Sequence, residues 1–400
     1  MSRQVQEAYI VAATRTPVGK APRGMFRNTR PDDLLSHVLK GVLAQAPTLD
    51  PAAIGDVVVG CAMPEAEQGM NVARISLLLA GLPQAVPGMT LNRFCSSGLQ
   101  AVANAADRIR LGEADVMIAG GTESMSMVPM MGNKLAFNPA IFERDERYAI
   151  AYGMGLTAEK VAQRWKVGRE AQDAFALQSH QRAIAAINGG EFAQEITPYP
   201  IVEHVADMQS RALQLKQHLA AQDEGPRADT SLEALAKLKT VFAKEGSVTA
   251  GNSSQMSDGA AAVLLCSEAA LKRYNLTPIG RFLGFSVAGV PPEVMGIGPK
   301  EAIPRVLKQV GLSLADMDWI ELNEAFAAQS LAVINDVGLD PAKVNPLGGA
   351  IALGHPLGAT GAIRTATILH GMRRRKQKYG MVTMCIGTGM GAAGVFEAFQ

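Results

Sequence analysis

The sequence predicts an α/β protein made of two duplicated halves with a charged segment inserted between them. Three observations carry this. Short apolar runs of strand length alternate with segments of helical pattern along most of the chain. The order of these pieces recurs. Pro31-Asp32-Asp33 ahead of Val38-Leu39-Lys40 is echoed by Pro299-Lys300-Glu301 ahead of Val306-Leu307-Lys308, and Asp56-Val57-Val58-Val59 by Asp318-Trp319-Ile320-Glu321. Between the halves, residues 122–249 are richer in charge and in long amphipathic pattern. The expected division is 1–121 with 250–278 as the first half, 122–249 as an insertion covering the site, and 279–400 as the second half. The repeat is too long for a solenoid, so the halves should pack as a pseudo-dimer around one core.

In chain order, residues 8–14 form a continuous apolar strand of the kind buried on both faces. Residues 15–29, broken by Gly and Pro, read as loop. Pro31 with Asp32 and Asp33 starts a helix that sets Leu34, Leu35, Val38, Leu39 and Val42 on one face. A strand at 56–60, a helix at 72–80 and a short extended run at 88–91 follow. Residues 99–110 are strong helix formers with Gly112 just past their end. A strand at 115–119 then stops at a Gly120-Gly121 turn. In the insertion, helices are expected at 169–188, with Phe175, Ala176, Ile184 and Ile187 inside, and at 231–243. The patch between them, 199–227, reads as polar loop. Residues 260–266 return one more strand to the first half. The second half gives a helix from Pro299, a strand at 318–321, a glycine-rich turn and helix after Val344-Asn345-Pro346, and strands at 380–385 and 395–399.

Composition narrows the function. Of 400 residues 48% are hydrophobic and 19% charged, which describes a large buried interior. A net charge of +1 offers no basic field for nucleic acid. No apolar run approaches the length of a membrane span. Met1 to Glu7 lack an apolar signal core and Ala398-Phe399-Gln400 is no peroxisomal address, so the expected location is cytoplasmic.

The stretch Asn92-Arg93-Phe94-Cys95-Ser96-Ser97-Gly98 opens the 99–110 helix. Cys95 therefore sits among free backbone N–H groups at the positive end of a helix dipole, conditions that stabilise a thiolate. From this stretch alone Cys95 reads either as a nucleophile or as a small buried apolar residue. Cys61 and Cys266 end apolar runs and belong to the core. None of the four cysteines stands at C-x-x-C spacing or beside a His cluster, so neither structural zinc nor disulfides are expected.

Three more stretches lie at strand or helix ends, where α/β proteins place their sites. They are Asn323-Glu324-Ala325-Phe326-Ala327, residues 348–361 around His355, and residues 385–394 from Cys385 through Gly387. The last contains Gly389-Met390-Gly391-Ala392-Ala393-Gly394, a literal G-x-G-x-x-G. That fingerprint needs a following helix and an acidic residue about twenty positions on, and the chain instead continues as a strand and ends. His355, between Gly354 and Pro356 in a glycine-dense turn, reads either as a structural residue or as the base for a Cys nucleophile. The remaining histidines, His37, His180, His204, His218 and His370, read as solvated.

Together these stretches resemble the thiolase family, and within it the 3-ketoacyl-CoA thiolases of fatty-acid β-oxidation. The resemblance runs from Ala13-Thr14-Arg15-Thr16-Pro17 to the last strand. It implies a five-layered αβαβα architecture with a loop domain, and acyl transfer through an acyl-enzyme on Cys95. His355 would take the Cys95 proton and Cys385 would serve the acetyl α-carbon as acid and base. Asn323 would hold a water that forms one oxyanion hole with His355, and the N–H groups of Cys95 and Gly387 would form the other. Coenzyme A is then a co-substrate, with no resident cofactor or metal. Ser254, in Gly251-Asn252-Ser253-Ser254, would meet the pantetheine and Arg227 the adenine nucleotide, against the plainer readings of a loop cap and a solvated cation. Homodimers or homotetramers, and a hydratase–dehydrogenase partner, fit the same family.

The chemistry needs the same parts. Attack on a 3-keto carbon suits a soft thiolate, and the departing enolate must be protonated at carbon. Oxyanions develop at two moments, so two donor sets are required. The methionines of 125–131, and Gly153 where acetoacetyl-specific members usually have a histidine, favour a broad acyl range. Two alternatives stand beside this reading: a biosynthetic acetyl-CoA acetyltransferase making acetoacetyl-CoA, and a catalytically silent carrier of acyl-CoA or lipid.

Overall fold

The computed structural model describes residues 5–400, the side chains of His204 and Asp207 excepted. Met1 to Gln4 and the expected solvation of His204 lie outside the described residues. The first half runs β1 (Tyr9–Arg15), β2 (Gly19–Lys20), α1 (Pro31–Ala44), β3 (Asp56–Gly60), α2 (Val72–Leu79), β4 (Gly88–Leu91), α3 (Ser97–Arg110) and β5 (Val116–Ser124). The insertion carries α4 (Met154–Arg164), α5 (Arg169–Asn188), β6 (Tyr199–Asp207), β7 (Ala212–Ala220) and α6 (Leu232–Ala236). β8 (Ser257–Cys266) and α7 (Glu268–Tyr274) then close the first half. The second half holds β9 (Gly280–Gly289), α8 (Gly298–Val310), β10 (Trp319–Leu322) and α9 (Ala327–Val337). It ends with α10 (Ala350–Leu353), α11 (Leu357–Arg374), β11 (Tyr379–Ile386) and β12 (Met390–Ala398).

Among the described residues the strands follow the order β10-β11-β12-β9-β1-β8-β5-β3-β4, with β2 on β8. The halves meet in this order only through Tyr9↔Arg281 and Ile10↔Gly280, so the ladder is two sheets joined at a corner. α1 and α2 cover the outer face of the first sheet, and α8 and α9 that of the second. α3 and α11 lie side by side between the sheets, which completes five αβαβα layers. The duplication extends to detail. β3 pairs parallel with β4, and in the second half Ile320 makes a parallel bridge to Val344 at the matching place.

The middle layer is the shared core. Leu99, Val102, Ala106 and Ile109 of α3 pack with Ala366, Leu369 and Met372 of α11, and with Val382 and Phe396 of the second sheet. Burying each large apolar side chain stabilises by about 1.5–3 kcal/mol. The helices approach until backbone meets backbone: a Cβ on Gly98 would stand 2.7 Å from the Ala362 nitrogen, and one on Gly361 would overlap Leu99.

The sequence expectations fail in several places. Of the residues expected inside α5 only Ala176 is buried; Phe175, Ile184 and Ile187 are half-buried, and the inner face is Gln172, Asp173, Ser179, His180, Ala183 and Ala186. The expected loop 15–29 holds β2, which pairs with β8. Gly120-Gly121 is no turn, because β5 continues through it to Ser124. Glycine is needed there since the Gly358 carbonyl and Ala359 press on Gly121 where a Cβ would lie. Residues 199–220 are not loop but form the β6–β7 hairpin, whose second strand is exposed on both faces except at Ala220 and so lacks an alternating buried pattern; 221–227 are loop as expected. The expected 231–243 helix is only Leu232–Ala236, capped by the Ser231 hydroxyl, after which Leu238 and Val241 turn to line a cleft. β9 had no sequence signal, because Gly280, Gly284 and Gly289 dilute its apolar pattern.

Candidate active site

Cys95 lies in a single 3-10 turn, Phe94–Ser96, immediately before α3. The bend is set by Asn92, whose Oδ1 accepts from the Phe94 N–H at 2.7 Å while its Nδ2 donates to the Ala62 carbonyl at 3.0 Å. Phe94 pays for the turn with φ of +44°. Cys95 is 8% exposed, against Ala62, Met125 and Leu357. Burial pushes its thiol up to about 11; the N–H groups of Gly387 and of Cys95 itself pull the other way, and Glu123 adds to the rise. The expected thiolate is therefore corrected. A helix N-terminus is worth about 0.3–1 kcal/mol, whereas each unit of rise costs the anion about 1.4 kcal/mol, so burial wins and the resting sulfur is a thiol.

His355 lies between α10 and α11, turned into place by Gly354 at φ +94° and by Pro356. Its backbone N–H donates to Ser257 Oγ at 3.1 Å. Nδ1 is 2.6 Å from Thr360 Oγ1, and Nε2 is 3.3 Å from Asn323 Nδ2. Burial, then the charge of Arg364, pushes the imidazole down to about 3, so it rests neutral. Asn323 continues β10 by donating its N–H to the Thr383 carbonyl at 2.9 Å, and its Oδ1 is buried with no hydrogen-bond partner among the described residues. Cys385, near the end of β11, is fully buried among Met154, Met295, Ala325 and Phe326. Burial, and then the nearby Cys95, push its thiol well above the ordinary range.

Cys95 and His355 line one cleft of about 870 Å³, with Met125, Met130, Met154, Met256 and Met295 on its walls. Gly153, Ser254 and Arg227 line it too. A Cβ on Gly153 would meet nothing within 4 Å, so open space lies there. Ser254 is held by its N–H to the Ala325 carbonyl at 2.9 Å. The Arg227 guanidinium pairs with Asp229 at 2.9 Å and is 59% exposed. Gly389 leads directly into β12, which already contains Gly391 and Gly394, so no helix follows the glycines. Among the described residues no His/Cys/Asp/Glu group is arranged to hold a metal, and no helix is long and apolar enough to cross a membrane.

The family model for the thiolase N-terminal domain matches residues 8–269, and that for the thiolase C-terminal domain residues 276–398. The chain belongs to the thiolase family. It is 52% identical to a 3-ketoacyl-CoA thiolase of Bacillus subtilis (strain 168), over 98% of this chain and 100% of the relative. It is 48% identical to the peroxisomal 3-ketoacyl-CoA thiolase A of Rattus norvegicus, over 98% of this chain and 88% of the relative. Among solved structures, the dimeric peroxisomal thiolase of Saccharomyces cerevisiae superposes with a TM-score of 0.88 at 40% identity, covering 98% of each chain. The Bacillus anthracis acetyl-CoA acetyltransferase also reaches 0.88, at 39% identity and 100% coverage of both chains.

Several residues of this thiolase site escaped the sequence reading. Glu123, at the end of β5, accepts the N–H groups of Ala62 at 2.7 Å, Met63 at 3.2 Å and Gly358 at 2.8 Å, and the Gln68 side chain. It thus ties the wall beside Cys95 to the start of α11. Glu324 does similar work beside His355, accepting from Ser179 Oγ, Asn345 Nδ2 and the Ile351 N–H. The one charged residue of an otherwise uncharged strand, Val116–Ser124, was the available signal for Glu123. His180 and His370, expected to be solvated, are buried. His180 Nδ1 accepts the Arg227 N–H at 3.1 Å, and a ring nitrogen of His370 bonds the Ala13 carbonyl at 2.9 Å. Their partners are far away in sequence, which is why pattern alone misplaced them. His37 is half-buried and His218 exposed.

Proposed function

We propose that this chain is a 3-ketoacyl-CoA thiolase of fatty-acid β-oxidation, cleaving 3-ketoacyl-CoA with coenzyme A to acetyl-CoA and a shortened acyl-CoA. The observation that carries the reading is a buried thiol, Cys95, and a neutral imidazole, His355, on one apolar cleft, with the second thiol, Cys385, buried behind its wall and near enough to Cys95 to feel its charge. The names of relatives about 50% identical over the whole chain support it. Cys95 gives its proton to His355 as its sulfur attacks the 3-keto carbon. The C2–C3 bond breaks, leaving an acyl thioester on Cys95 and the enolate of acetyl-CoA. Cys385 gives its proton to that C2. The coenzyme A thiol then re-protonates Cys385 and attacks the thioester, and Cys95 leaves and recovers its proton from His355. Every proton is returned. The oxyanion of the attack and that of the enolate need separate donors: Asn323 with His355 at one, the N–H groups of Cys95 and Gly387 at the other. Neutral partners at rest suit a dry site, since neither buried charge has to be held before substrate arrives.

Ser254 and Arg227 are proposed to meet the pantetheine and adenine ends of coenzyme A, supported by their place on the cleft. The domain division 1–121 with 250–278, 122–249 and 279–400 belongs to the same reading, supported by the strand order, although β5 runs three residues past the first boundary. A homodimer or homotetramer is supported by the dimeric yeast relative. A hydratase–dehydrogenase partner and a cytoplasmic location are also proposed; co-purification and cell fractionation test them.

Two measurements test the reaction. Acyl-CoA without free coenzyme A should leave the acyl group on the Cys95 peptide by mass; acylation at Cys61 or Cys266 would sink the assignment. Thiolysis of a 3-ketoacyl-CoA of about eight carbons should at least match that of acetoacetyl-CoA, given a cleft within the ~300–1,000 Å³ range of small-molecule sites. Turnover of the four-carbon substrate alone would favour the biosynthetic acetyltransferase, and no acylation at all the silent carrier.

A further inference from the structure

We infer that Thr360 is a positioning residue: its hydroxyl fixes His355 as the Nδ1–H tautomer and so keeps a lone pair at Nε2 for the Cys95 proton. The inference rests on the acyl-enzyme reading above and adds to it the group that sets the base. Asn323 Nδ2 faces Nε2 at 3.3 Å, and an amide N–H can only donate, so Nε2 faces a donor with its lone pair; the Cys95 proton takes the place of that long contact when it is transferred. The ring proton then belongs on Nδ1, which lies 2.6 Å from Thr360 Oγ1. Thr360 is itself buried, on the first turn of α11, and its side chain adjoins a small polar hollow lined by Arg15, Asp223 and Arg364. For Oγ1 to accept from the ring, its own hydrogen must point away, toward that hollow.

The second partner of a catalytic imidazole decides which nitrogen carries the proton. In many nucleophile–base pairs that partner is a carboxylate, whose charge raises the basicity of the ring. A hydroxyl accepts the Nδ1 proton equally well before and after Nε2 is protonated, yet adds no charge to a buried site. It therefore orients the ring without turning the resting pair into thiolate and imidazolium. The isosteric change Thr360→Val leaves the shape and removes the acceptor. The ring is then free to place its proton on Nε2, where it cannot take one from sulfur.

The experiment is the rate at which iodoacetamide alkylates Cys95, followed by peptide mass from about pH 6 to 9, with no acyl-CoA present. In the unmodified chain the rate should be nearly flat with pH, because His355 accepts the proton. Thr360→Val should be slower at neutral pH by roughly tenfold to a hundredfold, and should gain up to about tenfold per pH unit as the thiol ionises unaided. Thr360→Ser should restore the flat profile. A Val variant as fast as the parent, or a loss independent of pH and shared by the Ser variant, overturns the inference. If the Val variant does not fold, ¹⁵N-histidine spectra of the unmodified protein decide, with His355 identified by its loss in His355→Gln. A protonated Nδ1 and bare Nε2 are expected, and the opposite tautomer overturns the inference. Failure of acyl-CoA to label Cys95 in the unmodified chain would instead overturn the function reading, which these readouts do not require.

Discussion

The two halves share a frame but not a task, and the register of their strands shows where they part. Gly60 of β3 pairs with Gly121 of β5, and Leu322 of β10 pairs with Thr383 of β11. One residue further along the first strand, Cys61 therefore matches Asn323. Two residues further along the second, Glu123 matches Cys385. In the first half these positions hold a core thiol and a carboxylate that gathers backbone N–H groups. In the second half they hold the amide beside His355 and the second thiol. The middle-layer helices differ in the same sense: the turn before α3 carries Cys95, and the turn before α11 carries His355. Duplication supplies each address twice, and each half furnishes its copy differently: one gathers backbone N–H groups, the other sets an amide beside an imidazole and buries a second thiol.

The comparison breaks first at the nucleophile. Cys95→Ser keeps the shape but replaces the thiol by an alcohol far harder to deprotonate, so acylation should fall by roughly a thousandfold or more. Cys385→Ala should still acylate from acyl-CoA, whose leaving group is a thiolate, while thiolysis falls by about a hundredfold or more. Equal loss of acylation in both variants would make Cys385 a support rather than the carbon acid.

The matching position in the first half sharpens the contrast. Glu123→Ala leaves the N–H groups of Ala62, Met63 and Gly358 without their acceptor, at about 1–3 kcal/mol each. Its denaturant midpoint should drop well below that of Cys385→Ala, which leaves no donor stranded. Similar midpoints would mean that the two addresses are not divided between scaffold and chemistry.

The smallest effect is in the proton inventory. His355 is held at about 3 in the fold, below its unfolded value near 6.5. The unfolded chain therefore takes up that proton first, and the contribution to stability, complete above about pH 6.5, is lost as pH falls toward 3. His355→Gln should remove up to about 1.4 kcal/mol per pH unit from the slope of stability in that window. An unchanged slope between pH 4.5 and 6.5 would show the ring to be charged in the fold.

The sequence carried the layers and the site stretches because both rest on local pattern. Asp56–Gly60 and Arg169–Asn188 fall where periodicity and stops place them. What it did not carry depends on partners distant in the chain. β9 is a strand because β12 and β1 flank it, not because of its own glycine-diluted residues. The state of Cys95 shows the same limit. The helix beneath it was readable, but the burial that outweighs the dipole comes from Met125 and Leu357. Glu123 and Thr360 were in view as residues, and only the fold gave them neighbours.

The crossing of α3 and α11 has one last consequence. Gly98 and Gly361 let the two backbones touch, and those same helices carry Cys95 and His355 at their starts. The separation of Cys95 and His355 is thus gauged by the clearance of hydrogen atoms several residues behind them. Side chains that wall the cleft, such as Met130, Leu238 and Val241, have no backbone-to-backbone contact of this kind to preserve. The middle layer has no such latitude. The cleft wall can change shape in this architecture while the spacing of Cys95 and His355 stays pinned.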